Sequence, residues 1–146
     1  MSKLDFSISS PISKEKLFDY IIDFEYYKNY FPNQINQILI TEKNENEIHT
    51  SEEIVFSSIV KNIIHQKSIH KLNPYENITT DIIDGPAKGS TILITLSNIN
   101  SETEITFNAE LKLSLKAKFL GPLIKKLYKR YLTSLMYKIS NRDLEK

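Results

Sequence analysis

Residues 104–139, EITFNAELKLSLKAKFLGPLIKKLYKRYLTSLMYKI, change from a two-residue hydrophobic period to a helical one. In the first part of the stretch, apolar and polar side chains alternate, as in a strand that buries one face. The alternate positions predicted to be buried are Ile105, Phe107, Ala109, Leu111, Leu113 and Leu115. The stretch therefore predicts a long strand with one dry face, followed directly by a long helix.

The predicted C-terminal helix has one apolar face. With residues placed about 100° apart, one arc of about 100° holds a set of large apolar side chains, and Leu132 widens it slightly. The members of this arc are Leu120, Ile124, Leu127, Tyr128, Tyr131, Leu135 and Ile139. Pro122 suits the first helical turn, where its missing N–H costs nothing. Lys138 and Arg142 re-enter the apolar arc, so we expect contact with the sheet to loosen there.

The N-terminal third predicts one strand and two short helices. LDFSIS (4–9) alternates, and SSPISKEKLFDYIIDFEYYKNYFP (9–32) then takes a helical period. Ser13 is the expected N-cap of the first helix, with Glu15 in its first turn. Asp23 can cap the second helix. Pro32 ends that helix, because the residue before a proline avoids the helical region.

Residues 35–118 read as about six strands separated by turns at KNEN (43–46), Asn73-Pro74, GPAKG (85–89) and NSET (100–103). Short turns between consecutive strands indicate an antiparallel sheet with one wet face. The helices remain to cover the dry face. We therefore predict an α+β fold: a curved antiparallel sheet of about seven strands, two short helices after strand 1, and a long C-terminal helix.

Composition narrows the function classes. A chain of 146 residues predicts a single domain spanning 1–146. The absence of cysteine excludes disulfides, thiolate nucleophiles and iron–sulfur ligation. The first ten residues lack the apolar run of a signal peptide, and no apolar run approaches the roughly 20 residues of a membrane span. We expect a cytoplasmic location.

The residue pattern shows no catalytic constellation and predicts neither a metal nor a cofactor. His65 and His70 are five positions apart on one predicted strand, so they face opposite sides, and His49 lies on another strand. Neither pair of neighbouring carboxylates can act together within its strand, because the two side chains of each pair face opposite sides. The pairs are Glu52 with Glu53, which are adjacent, and Asp81 with Asp84, which are three positions apart. GPAKG lacks the spacing of a P-loop. Whether the protein is an enzyme stays open at this point.

A curved sheet that holds one long helix tends to leave a space between the two. Aromatic side chains line such spaces well, because they combine an apolar body with a polar tip. The residues predicted to line this space and bind a ligand are Tyr26, Tyr27, Phe31, Phe107, Tyr128, Tyr131 and Leu135.

The basic residues cluster on the helix, at Lys125, Lys126, Lys129 and Arg130. One interpretation is a solvated helix face. The alternative is that Lys126, Lys129 and Arg130, which fall on the side away from the sheet, dock the protein on anionic lipid head groups. A third is RNA contact, against which a net charge of +1 argues.

The order of elements resembles the helix-grip fold of the START-like, Bet v-type (SRPBCC) superfamily, over nearly the whole chain. SSPISKEKLFDYIIDFEYYKNYFP (9–32) is similar to the opening of polyketide cyclase and coenzyme Q-binding START proteins. DIIDGPAKGSTILITL (81–96) resembles the Asp-Gly-Pro turn and strand of the coenzyme Q-binding branch, although this chain has no Trp in the strand that follows. LKAKFLGPLIKKLYKRYLTSLM (115–136) occupies the place of the last strand and C-terminal helix.

The resemblance implies binding or transport of a hydrophobic small molecule, such as a lipid, an isoprenoid or a quinone. Two alternatives stay open. One is a polyketide cyclase- or hydrolase-type enzyme that uses the same cavity. The other is a protein- or ribosome-interaction module whose cavity is collapsed.

Overall fold

The computed structural model describes residues 2–55, 63–113 and 121–145 of the chain. The strands are β1 (Ser2–Ser10), β2 (Ile35–Lys43), β3 (Glu47–Val55), β4 (Ile63–Asn73), β5 (Asn77–Asp84), β6 (Thr91–Ile99) and β7 (Glu102–Leu111). The helices are α1 (Lys14–Ile21), a 3₁₀ turn (Phe24–Tyr26), α2 (Tyr27–Tyr30) and α3 (Gly121–Leu144). The predicted order of elements is confirmed.

The seven described strands form one antiparallel sheet in the order β1-β7-β6-β5-β4-β3-β2. β1 pairs with β7 from Ser2 opposite Leu111 to Ser10 opposite Thr103, so the first strand lies beside the last. β1 and β2 are the sheet edges. α3 packs against β1, and α1 contacts both β6 and α3. This is the α+β helix-grip architecture that the sequence predicts.

β7 has the predicted one-sided burial. Its inward-facing side chains are buried from Thr103 to Leu111, and the outward-facing Glu110 is exposed. Leu113 follows the end of the strand and is half-buried, and Leu115 lies outside the described residues. Each large apolar side chain buried on this face contributes about 1.5–3 kcal/mol, so β7 is a main source of core stability.

The predicted helix caps have different outcomes. The Ser13 hydroxyl accepts a hydrogen bond from the Lys16 amide at 3.4 Å, which confirms the N-cap of α1. Asp23 stands before the 3₁₀ turn, but its side chain makes no capping bond. The prediction that it caps the second helix is wrong, because its carboxylate pairs with the Arg142 guanidinium at 2.9 Å instead.

The buried stripe of α3 consists of Leu132, Leu135, Met136 and Ile139. Leu127 is 39% exposed, so its predicted place on the buried face is wrong. At 3.6 residues per turn, Leu127 lies about 130° around the helix from the centre of that stripe. Pro122 lies in the first turn of α3, as predicted, and Leu120 is outside the described residues.

Over the described ranges, no helix combines the length and hydropathy that crossing a membrane requires.

Candidate ligand-binding site

The inner face of the sheet carries polar side chains beneath α3. On β3 the side chains of Ile48, Thr50 and Glu52 all face inward, because successive side chains of a strand alternate between its two faces. The β3–β4 register places Ser68 opposite Thr50 and Gln66 opposite Glu52. A stretch of the sheet's dry face is thus polar rather than apolar.

These side chains form one hydrogen-bonded network, here called the inner polar network, of Thr50, Glu52, Gln66, Ser68, His70 and Thr80. The Glu52 carboxylate accepts hydrogen bonds from the Thr50 hydroxyl at 3.0 Å, the Gln66 amide at 2.8 Å and the Ser68 hydroxyl at 3.3 Å. His70 Nε2 lies 2.9 Å from Thr50 Oγ1, and His70 Nδ1 lies 2.7 Å from Thr80 Oγ1.

Burial sets the protonation state of His70. Loss of hydration, with a smaller contribution from the charge of His49, lowers the pKa of His70 from 6.5 to about 4, so the ring is neutral at pH 7. The Thr50 hydroxyl donates to Glu52, so Thr50 Oγ1 is free to accept from His70 Nε2–H. His70 Nδ1 then accepts from the Thr80 hydroxyl. Both ring nitrogens are therefore occupied.

An aromatic layer covers this network. The Phe24 ring stacks on the His70 imidazole with centroids 3.9 Å apart, and Tyr27 packs against Phe24 at 5.5 Å. On α3, Tyr131 contacts Phe31 at 4.9 Å and Tyr128 at 5.9 Å. The short helices and α3 thus supply aromatic rings to the same space above the sheet.

Tyr128 and Tyr131 have an unusual environment. Burial raises the pKa of both phenols, and the negative charge of Glu52 raises each of them further. Both residues are nevertheless only half-buried, and neither hydroxyl forms a hydrogen bond with a residue that the structure describes. In that part of the chain every fully buried side-chain oxygen or nitrogen has a partner, so neither of these two hydroxyls is fully buried.

Three more of the predicted lining residues are buried, namely Tyr27, Phe107 and Leu135. The Tyr27 hydroxyl donates to the Ile21 carbonyl, and burial, followed by the charge of Tyr131, raises the pKa of Tyr27. Phe107 is fully buried and stacks on Phe6 at 4.7 Å, and Leu135 is buried in the core. Of the predicted set, the structure brings Phe31, Tyr128 and Tyr131 into one group of contacting rings, whereas Tyr27 packs against Phe24 and Tyr30.

Tyr26 lies against the C-terminal end of α3, and its ring contacts Tyr30 at 5.0 Å. The Arg142 guanidinium lies 3.6 Å from the Tyr26 ring centroid and donates to the Tyr30 hydroxyl at 3.0 Å. Lys138 donates to the Tyr30 carbonyl and lies over the Phe31 ring at 4.9 Å. Lys138 and Arg142 therefore attach α3 to α2, where the sequence suggested only looser contact with the sheet.

The basic cluster in the first half of α3 is exposed; its members are Lys125, Lys126, Lys129 and Arg130. Lys126 and Lys129, however, do not point away from the sheet, because they line a surface groove of about 460 Å³ along β1. The Lys129 ammonium lies 5.3 Å from the Phe6 ring centroid, which explains its orientation. The groove is lined by Lys3, Leu4, Asp5, Lys125, Lys126 and Lys129.

Sequence reasoning missed the inner polar network. Thr50 and Glu52 share one face of β3, and Ser68 and His70 share one face of β4, which the two-residue period alone could have shown. Positions within a single strand do not reveal which side chains meet, because the network depends on the register between β3 and β4. Among the residues that the structure describes, no group of His, Asp and Glu has a metal-binding arrangement.

No protein-family model and no curated protein matches the sequence. Solved structures match its fold. A START superfamily protein from Mycobacterium smegmatis superposes with a TM-score of 0.75 at 16% identity, covering 96% of this chain and 95% of that one. The Zhui aromatase/cyclase from Streptomyces sp. R1128 gives 0.73 at 10% identity, covering 97% and 94%. Ara h 8.0201 gives 0.75 at 14% identity, covering 99% of both chains. The chain therefore has the helix-grip fold that START-like proteins, aromatase/cyclases and this Bet v-type protein share.

Proposed function

We propose that this protein binds or transports a hydrophobic small molecule, such as a lipid, an isoprenoid or a quinone, in the space between the sheet and α3. The observation that carries the proposal is the environment of Tyr128 and Tyr131. Neither hydroxyl is fully buried, yet surrounding protein raises the pKa of both phenols, and their rings pack with Phe31 in one group. Aromatic rings that pack together around polar groups, as Phe31, Tyr128 and Tyr131 do, suit an apolar ligand.

The test is a titration with Nile red, a neutral dye whose emission increases in apolar surroundings. We expect saturable binding of about one dye per chain. Tyr131→Trp, which enlarges a side chain in the proposed wall, should weaken dye binding several-fold. The matched control is Tyr137→Trp on the same helix, because Tyr137 is 70% exposed and should leave binding unchanged.

Absence of saturable dye binding would contradict the proposal and favour the interaction-module alternative, in which the space beneath α3 is filled. Equal weakening by both Trp variants would show that the dye sits elsewhere on α3.

We further propose that the basic face of α3 brings the protein to anionic membranes, where a lipid-like ligand is collected. Lys126, Lys129 and Arg130 are exposed, and the groove that two of them line contains a single acidic residue, Asp5. The exposed Leu127 lies among these cations and offers an apolar contact for a bilayer. Each basic residue near an anionic surface contributes about 1 kcal/mol, so three contribute about 3 kcal/mol.

The docking proposal predicts co-sedimentation with vesicles of phosphatidylserine and phosphatidylcholine that decreases as salt is raised. About 3 kcal/mol corresponds to more than a hundredfold in affinity at low salt. Lys126→Glu, Lys129→Glu and Arg130→Glu together should abolish sedimentation while leaving Nile red binding intact. Wild-type protein that stays in the supernatant at low salt would overturn the docking proposal alone.

A second candidate is a cyclase- or hydrolase-type enzyme in the same space. The observation in its favour is the inner polar network, which places His70 and a carboxylate on the inner face of the sheet. Against it, both nitrogens of His70 are occupied by threonine hydroxyls, so the ring offers no free atom as a base. The network therefore supports ligand positioning better than proton transfer.

A further inference from the structure

The inner polar network contains a buried carboxylate, that of Glu52, whose hydrogen-bond partners among the described residues are all neutral. Glu52 is 8% exposed, and its hydrogen-bond partners are the neutral side chains of Thr50, Gln66 and Ser68. In the part of the chain that the structure describes, no Lys or Arg pairs with Glu52. A buried carboxylate without a cation is costly, and it creates a negative potential in the adjoining space.

The Glu52 carboxylate also retains hydrogen-bonding capacity. A carboxylate offers about four acceptor positions on its two oxygens. Oε1 accepts from Gln66 and Ser68, and Oε2 accepts from Thr50. One acceptor position on Oε2 therefore remains for a further donor.

On α3, the described side chains nearest to Glu52 carry no positive charge. Tyr128 and Tyr131 present uncharged phenols, whose hydroxyls can donate to or accept from a ligand. His70, on the sheet side, is a neutral ring already bonded to Thr50 and Thr80. An anionic group placed among these side chains would meet the charge of Glu52 without a compensating cation.

We infer that the ligand of this protein has a neutral or cationic hydrogen-bond donor at its polar end, a hydroxyl or an amine, which binds Glu52, and that ligands ending in an anion are rejected. This inference rests on the proposed function. It narrows the ligand class from hydrophobic molecules in general to apolar molecules with a donor head group. Carboxylate lipids such as fatty acids are placed outside it.

The test is displacement of Nile red by three ligands with the same alkyl chain: dodecanol, dodecylamine and dodecanoic acid. At pH 8 the acid is ionised and the amine is protonated, since the ordinary pKa of a carboxylic acid is about 4 and that of an alkylamine is about 10. For wild-type protein, we expect the alcohol and the amine to displace the dye at concentrations at least about tenfold lower than the acid, because the acid meets like charge.

Glu52→Gln removes the charge and keeps the shape of the side chain. We expect the alcohol-to-acid ratio of displacement concentrations to fall about tenfold or more in this variant. The matched control is Glu53→Gln, because Glu53 is the neighbouring carboxylate on the opposite face of β3 and should leave the ratio unchanged.

The possible outcomes separate the two proposals. If Nile red does not bind, the proposed function is wrong and this inference fails with it. If the dye binds and the acid competes as well as the alcohol, only this inference is overturned. If Glu52→Gln does not fold, the order of the three ligands on wild-type protein decides, and an acid that binds as tightly as the alcohol refutes the inference.

Discussion

His70 links the structure to a measurable pH dependence. Its pKa falls from 6.5 to about 4 on folding, chiefly because burial disfavours the charged ring. The unfolded chain therefore binds a proton more readily than the folded chain between these two values. The resulting stability is fully present above pH 6.5 and is lost as the pH falls toward 4. Linkage gives a loss of about 2 kcal/mol from this residue between pH 7 and pH 5.

The perturbation is His70→Gln, which keeps a polar side chain at the site and removes the titrating ring. Urea unfolding followed by circular dichroism at pH 7, 6 and 5 gives the free energy of unfolding for both proteins. At pH 7 we expect the variant to be less stable by about 1–3 kcal/mol, because it loses the Phe24 stack and the hydrogen bonds to two threonines. At pH 5 this difference should shrink by about 2 kcal/mol.

His65→Gln is the control, since His65 lies on the same strand with its side chain 74% exposed. Its free energy of unfolding should follow the wild-type pH dependence. Parallel curves for His70→Gln and wild type between pH 7 and pH 5 would refute the conclusion that His70 is buried as a neutral ring.

Three further predictions concern stability. Leu132→Ala should lower the free energy of unfolding by about 2–5 kcal/mol, because Leu132 is 3% exposed in the core, whereas Leu127→Ala should lower it by under about 1 kcal/mol. Equal losses in urea melts would contradict the observed orientation of α3, in which Leu132 and not Leu127 faces the core. Arg142→Gln should lower the free energy of unfolding by about 1–2 kcal/mol, because it removes the contacts with Asp23, Tyr30 and the Tyr26 ring, and an unchanged melting midpoint would show that this attachment is unimportant. Gly85→Ala should lower the free energy of unfolding by about 1–3 kcal/mol, because Gly85 has φ +105° and an added Cβ would lie 2.8 Å from the His65 carbonyl oxygen. Pro86→Ala, in the same turn, is the control and should lower the free energy of unfolding by less.

Much of the fold could be predicted because its signals are local. The alternation in β7, the N-cap at Ser13 and the period of α3 each depend on residues close together in the chain. The order from β2 to β7 then follows from short turns between antiparallel neighbours, whereas the pairing of β1 with β7 does not. Leu127 was misplaced because the predicted arc averaged over the whole helix, whereas the buried stripe belongs to its second half.

The candidate site could be predicted only in part because it depends on long-range register. Composition and helical position predict the aromatic residues of α3 and α2, whose rings the structure places in contact at Phe31 and Tyr131. They do not predict the partners of Glu52, because Gln66 and Ser68 meet it only through β3–β4 pairing. Lys129 was expected to face away from the sheet, but its ammonium lies over Phe6 of β1, a contact that helical periodicity alone does not encode.

Native mass spectrometry of protein purified from its own source tests most directly whether the space beneath α3 holds a ligand. We expect a population heavier than the bare chain by the mass of one small apolar molecule, lost on denaturation, whose head group is a hydroxyl or an amine. A spectrum of the bare chain alone, from protein that also fails to take up added dodecanol, would contradict the proposal that this protein binds an apolar ligand beneath α3.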